Sequence, residues 1–334
     1  MSLLDAPQVR RFLALTGQRL PVMQAPVGSA ASPALAAAVA RAGGLGGLAI
    51  TWTGPADSAE AIRRAGEGAE GGVLFANFVL HFPCENFEAV LATGIPVVTL
   101  SWGIDAGRID RAKRAGARVG VQVGNAAGAR KARAAGADFL IAQGVEAGGH
   151  VQSTTPLAAL LPAVLQEAGD LPVLAAGGIA TGAAIARAIG AGAAGAVLGT
   201  RFVATREASA HDDYKAALVA AGSGDTVLTG CFNLGWPDTQ SRVLRNDTLT
   251  EWESEGCPQA PGRPGEGDIV FRVGEVAVPR YSDTAPVPGA VGAIRSACLY
   301  AGTGVGEIAA VEPADELVRR LWREAEAADG GRMN

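Results

Sequence analysis

Along the chain, short runs of consecutive apolar residues recur between segments of helical spacing, and each run is closed by glycine or proline. The first is Val22-Met23-Gln24-Ala25-Pro26, followed by Ser32 as a helix N-cap, Pro33 at the first helical position and an alanine-rich helix ending at Gly43-Gly44. The same unit repeats: strands over 48–51, 73–78, 96–101, 118–123, 139–142, 172–176 and 195–198 alternate with helices near 58–65, 85–92, 105–115, 126–135, 157–168, 183–189 and after Phe202. Five helices stop at an Ala-Gly pair whose glycine (Gly43, Gly116, Gly136, Gly169, Gly192) suits the left-handed residue past a helix end. The strands are continuously apolar, as expected where both faces are covered by protein. Eight such units before residue 208 predict a (β/α)8 barrel, not a doubly wound open sheet.

From about Ala208 the rhythm stops. Residues 209–290 contain a Pro/Gly-rich stretch, Cys257–Gly267, and read as a small, mostly helical appendage over the barrel mouth, on the substrate side. Order returns after residue 291, so 1–208 together with 291–334 make the barrel, closing in a helix over 313–327.

Composition narrows the class. The net charge of −5, without a basic tail or a long like-charge run, argues against nucleic acid and a membrane surface as partners. Four scattered cysteines suggest neither a metal nor a disulfide framework, and the start lacks a signal sequence; a cytoplasmic protein is expected. A small-molecule substrate fits, and a homodimer stays open.

The loops after the predicted strands converge on one candidate site. Gln143-Gly144-Val145-Glu146-Ala147-Gly148-Gly149-His150 follows strand six, and its paired glycines allow positive φ and close approach of a ligand to backbone N–H groups. His150, one of three histidines, is the candidate for proton transfer, against a structural role at a strand end. Gly177-Gly178 after strand seven and Gly199-Thr200 after strand eight sit where barrels grip a phosphate, against ordinary tight turns. Asn77 and Gln122 offer carboxamides suited to a flat heterocycle, against capped strand ends. Arg201, Glu146 and Asp138 read as structural or solvated charges, and His81 as a surface residue.

These residues carry a resemblance. Pro21–Pro26, Asn77, the octet 143–150, Ala175–Ile179, Gly199–Phe202 and the turn Tyr300-Ala301-Gly302 resemble the nitronate monooxygenase family, formerly called 2-nitropropane dioxygenases. The resemblance implies FMN in a (β/α)8 barrel, with Met23, Gln24, Ala25, Asn77, Gln122, Gln143, Gly148 and Gly149 along the flavin. Gly177, Gly178, Val197, Leu198, Gly199 and Thr200 would hold its phosphate. His150 would be the catalytic base, with Tyr300 and Thr303 toward the substrate, although many relatives have Gln-Ser or Gln-Gly where this chain has Thr303-Gly304. The implied reaction is oxidative denitrification of nitronates, or of neutral nitroalkanes, with dioxygen to a carbonyl compound and nitrite, and it needs no metal. An FMN-dependent NAD(P)H:quinone or enoyl-thioester reductase of the same barrel superfamily is the alternative; a non-redox barrel that binds a phosphorylated metabolite is a third.

Overall fold

Eight parallel strands form the centre of the protein in a computed structural model that describes residues 2–330. They are β1 (Val22–Gln24), β2 (Gly46–Ala49), β3 (Leu74–Val79), β4 (Val97–Ser101), β5 (Arg118–Val123), β6 (Phe139–Gln143), β7 (Val173–Ala176) and β8 (Gly195–Leu198). The hydrogen-bonded order runs β1-β8-β7-β6-β5-β4-β3-β2. The two ends meet where Leu45, just ahead of β2, bridges Met23 of β1, which closes the barrel. The eight parallel strands of a (β/α)8 barrel are as the repeat predicts, whereas closure and strand order are seen only in the structure.

The surrounding helices are α1 (Pro33–Arg41), α2 (Pro55–Gly68), α3 (Phe87–Ala92), α4 (Ala106–Arg114), α5 (Ala126–Ala134), α6 (Leu157–Ala168), α7 (Gly182–Gly190) and the one-turn α8 (Thr200–Val203). Ser32, Asp105, Asn125 and Thr181 cap four of them by accepting a backbone N–H three residues on. All five expected helix-ending glycines have positive φ, from 61° to 103°. β2 starts two residues earlier than its apolar run suggests. Gly46 and Gly47 are within the strand because a Cβ at either would meet the α1 backbone at 2.0 Å (Ala36 O) or the Phe75 ring at 2.1 Å. They are there for close packing and do not break the strand.

Two apolar layers hold the barrel. The outer one lies between strands and helices. The inner one fills the N-terminal end of the barrel with Met23, Phe75, Val97, Phe139 and Leu174, and Phe12 of the leading helix Pro7–Thr16 plugs it, edge-on to Phe139 at 5.3 Å. With that end packed solid, a cavity can open only at the C-terminal ends of the strands.

Residues 209–290 are not mostly helical, which corrects the expectation. They hold helices Asp212–Ala220 and Asp247–Ser254, but also strands Thr226–Thr229, Ser241–Leu244, Ile269–Val273 and Val276–Pro279. Their β-pairing is partly long-range: Ser241 and Arg242 pair antiparallel with His150 and Gly149, and Ile269–Val273 pairs with Ala290–Gly292, while Ile269–Val273 also forms a local hairpin with Val276–Pro279 across Gly274-Glu275. Only the distant pairings leave no local hairpin signal. The C-terminal helix Ala314–Gly330 packs its Leu317, Leu321 and Trp322 into the outer layer beside α7.

Candidate active site

The cavity at the strand ends has two parts that share Ala25, Pro26, Asn77, Gln122, Gln143, Gly148, Gly199 and Thr200. The inner part is bounded by Ile141, Ala176 and Val197 of the strands and by the loops Gly177–Ala180 and Gly302–Gly304. The outer part, about 580 Å³, is walled by aromatic rings, with His150 and Tyr300 among them.

Loops in the inner part approach so closely that side chains would not fit between them. A Cβ on Gly148 would lie 2.5 Å from Gly302 N, and one on Gly304 2.7 Å from Gly178 O. Gly177 and Gly178 have φ of 117° and 67°. The N–H groups of Gly177, Gly178, Ile179 and Gly199 donate to no protein acceptor among the described residues. Unpaired N–H groups in glycine turns beside two helix N-termini form a cradle for an anion. Thr200 Oγ1 accepts from Gly302 N at 2.9 Å, which ties this cradle to the last loop.

The carboxamides hold one another in place. Gln122 Nε2 donates to Gln152 Oε1 at 2.7 Å, Gln152 N donates to Gln143 Oε1 at 3.0 Å, and Gln143 Nε2 donates to the His150 carbonyl at 3.3 Å. Asn77 Nδ2 donates to Thr99 Oγ1 at 3.0 Å. Gln152 and Thr99 escaped the sequence reading because neither is in a glycine-rich motif. Each locks an amide whose remaining atoms face the cavity.

His150 is on a two-residue strand, not a free loop. Its partner Ser241 and the Arg242 guanidinium, which donates to Val145 O at 3.0 Å and 2.9 Å, clamp the octet from the appendage side. The imidazole is largely buried against Trp236, Tyr300 and Trp102, with centroids at 4.6, 5.6 and 6.4 Å. Its Nε2 is buried without a hydrogen-bond partner. Burial among apolar rings pushes its pKa down from 6.5 to about 4, so the ring is neutral at physiological pH.

Several expected residues are elsewhere. Met23 is in the inner core and Leu198 packs against the helices; neither lines the cavity. Gln24 is fully buried, paired through its amide with Gly47 N and O on β2. Thr303 does not line the cavity either: it rests against Gly178, with its N–H bonded to Glu146 O. Of the two adjacent glycines, only Gly149 has positive φ, 79°; Gly148 is there for lack of space. Glu146 caps α6 by accepting Leu157 N at 2.9 Å, Asp138 accepts Val119 N, and buried Arg201 pairs with Glu312, so all three acids and the arginine serve the framework. His81 is exposed, yet its ring stacks on Trp236 at 5.1 Å. Trp52, Phe82, Trp102, Trp236 and Asp283 line the outer part and were not expected. Trp52 and Trp102 follow β2 and β4, a position that could have flagged them; Trp236 and Asp283 come from the irregular appendage and carry no such signal.

Comparison with known proteins agrees with this architecture. The sequence pattern of the nitronate monooxygenase family matches residues 56–324. A nitronate monooxygenase of Paraburkholderia phytofirmans is 30% identical, covering 96% of each chain. The (3aS,4S,5R,7aS)-5-hydroxy-7a-methyl-1-oxo-octahydro-1H-indene-4-carboxyl-CoA dehydrogenase of Rhodococcus jostii is 36% identical over 72% of this chain and 67% of its own. Among solved structures, FabK from Thermotoga maritima superposes with a TM-score of 0.82 at 30% identity over 97% of this chain and 98% of its own. A nitroalkane oxidase from Streptomyces ansochromogenes gives 0.77 at 31% identity over 96% and 99%. With the pattern spanning most of the chain and the relatives nearly collinear with it, this (β/α)8-barrel protein belongs to the nitronate monooxygenase family and is an oxidoreductase enzyme.

Proposed function

We propose that the protein is an FMN-dependent enzyme that converts alkyl nitronates, and neutral nitroalkanes through them, with dioxygen into a carbonyl compound and nitrite. The observation that carries this reading is His150: a neutral imidazole without a side-chain hydrogen bond, fixed by β-pairing on the wall of a cavity that also contains an anion cradle.

The inner part fits FMN. Gly177, Gly178, Gly199 and Thr200, with Val197 beneath them, would hold the phosphate through backbone N–H groups and the threonine hydroxyl. Asn77, Gln122, Gln143 and Gly148, with Ala25 and Gly149, would border the heterocycle. The chemistry supplied by bound FMN is electron acceptance from the nitronate and reaction with dioxygen.

The remaining work belongs to the protein. An unprotonated ring nitrogen of His150 can accept the acidic α-proton of a nitroalkane, and its low pKa keeps it unprotonated throughout the physiological range. Trp102, Trp236 and Tyr300 keep bulk water from that proton transfer. Residues 209–290 would act as the substrate-side cover, since Trp236 and Asp283 close the outer part while Ser241 and Arg242 hold the histidine strand.

The test is oxygen uptake by the FMN-loaded enzyme with matched nitroalkane and nitronate pairs. His150→Asn is expected to lower kcat/KM for the neutral nitroalkane by about 10² to 10⁴ while leaving the preformed nitronate within a few-fold. Equal losses on both would remove His150 from the role of base. Rapid flavin bleaching by NADH under anaerobic conditions would favour the reductase alternative.

A further inference from the structure

The outer part of the cavity has a composition of its own. At about 580 Å³ it is in the range of pockets that take drug-sized molecules, roughly 300–1,000 Å³. Asn77, Gln122, Gln143, Gly148 and Gly149, which would border the heterocycle, also line this part, so bound FMN would fill some of that space and the substrate the remainder.

Its wall is one connected set of rings with Trp236 at the centre. Trp236 touches Trp102 at 4.5 Å, His150 at 4.6 Å, Phe82 at 4.9 Å and His81 at 5.1 Å between centroids, and Phe82 touches Trp52 at 5.3 Å. All are within the 4.5–7 Å range of favourable aromatic contact. Trp52, at the rim, is 59% exposed and continues this set of rings to the cavity mouth. Trp102 has a φ of 58°, in the left-handed region that a bulky residue avoids. The fold therefore accepts backbone strain at the residue that brings this indole to the wall.

The electrostatics point the same way. No lysine or arginine lines this part among the described residues, its one carboxylic acid is Asp283, and burial holds the Tyr214 and Tyr300 phenols in their neutral form. Burial pushes the Asp283 carboxyl up from its ordinary range, so the surroundings already disfavour negative charge. A carboxylate or phosphate on a ligand would find no counter-charge here.

Resting on the function proposed above, we infer that the substrate is an uncharged molecule carrying a flat ring system, stacked on Trp236 and Trp102 with its reactive carbon at His150. An acidic or short-chain nitro compound is not what this wall selects. The nitronate would then form inside the cavity from a neutral nitro compound, and His150 would be required for the preferred substrate.

Equilibrium dialysis of the FMN-loaded protein with dioxygen removed, so that nitroethane is not consumed catalytically, tests this. The probes are 2-naphthylethanol, 2-naphthylacetate, 2-naphthylethylamine and nitroethane. The neutral naphthyl compound is expected to bind at least tenfold tighter than each of the other three. Trp236→Ala should weaken it about tenfold and Trp236→Phe should restore most of the loss, because one aromatic contact is worth about that factor. Since Trp236 is buried, Trp52→Ala on the exposed rim is the second variant, with a loss of about threefold for the neutral naphthyl probe and none for nitroethane. Equal binding of the four probes, tighter binding of the acid or the amine, or indifference of the neutral probe to both tryptophan variants would overturn the inference. Nitro-compound turnover decides the proposed function separately: naphthyl selectivity without any nitro oxidation would defeat that function and leave the binding site standing, whereas oxidation of nitroethane without naphthyl selectivity would do the reverse.

Discussion

Gly148 and Gly149 are neighbours in sequence, and replacing each by alanine should produce different defects. At Gly148 the backbone is not left-handed, but a Cβ would lie 2.5 Å from Gly302 N, 2.8 Å from Ala301 C and 3.1 Å from Ala301 Cα. Carbon contacts are comfortable at about 3.5 Å or more, so the last loop must retreat by about 1 Å. Overpacking of this kind costs about 1–3 kcal/mol. An unfolding entropy of about 2.1 cal/mol/K per residue puts a chain of this length near 0.7 kcal/mol/K, so Tm should fall by about 1.5–4 °C. The displaced Gly302 N–H is the donor to Thr200 Oγ1, so the anion cradle moves with it. FMN affinity should therefore drop by about tenfold, equivalent to about 1.4 kcal/mol. At Gly149 nothing lies within 4 Å, and the only cost is a φ of 79°, about 1–2 kcal/mol of backbone strain. Gly149→Ala should thus lower Tm comparably without displacing the last loop or the anion cradle, so its loss of FMN affinity should be smaller than that of Gly148→Ala. The assays are thermal unfolding of the FMN-free protein, which keeps cofactor binding out of Tm, and a separate FMN titration. The reasoning fails if Gly148→Ala binds FMN normally, or if the two variants are indistinguishable in both measurements.

Three further outcomes are expected. Because the His150 pKa is about 4, kcat/KM for a neutral nitroalkane should be flat from pH 5.5 to 8 and fall only at lower pH; an inflection near 6.5 would contradict the buried, unpaired imidazole. The same group affects stability: the unfolded chain takes up its proton near 6.5 and the folded one near 4, so His150 costs stability as pH falls through that window and nothing above it, and His150→Gln should flatten the slope of Tm against pH there. Arg242→Met removes both donors to Val145 O, with an expected cost of about 1–2 kcal/mol and a loss of nitroalkane activity exceeding the loss of FMN binding, read by unfolding and titration. Glu146→Ala should cost about 1 kcal/mol through the lost cap on α6 and leave the pH profile unmoved; a changed profile would make Glu146 part of the chemistry.

Legibility of the barrel and of its site differed for a local reason. Helix ends at Gly43, Gly116 and Gly136, caps at Ser32, Asp105 and Asn125, and uninterrupted apolar strands are encoded within a few residues of where they act, so the (β/α)8 repeat could be read directly. The same locality misled at β2, where Gly46 and Gly47 resemble a turn until α1 and Phe75 are seen pressed against them. Met23, Gln24 and Leu198 share a motif or a strand with cavity residues, but alternation along the strand and the barrel layers send them to the core, to β2 and to the helices.

By itself, the sequence determined the repeat, the order of the loops at the barrel mouth and the residue types in them: glycines for the cradle, carboxamides beside it and one histidine after β6. Only the tertiary structure decided what state that histidine is in. Its neutrality comes from Trp102, Trp236 and Tyr300, and its rigidity from Ser241 and Arg242, residues 48 to 150 positions away of which Tyr300 alone belongs to a motif of the sequence. Desolvation and strand pairing depend on what surrounds a group in space, and the chain states that only once it has folded.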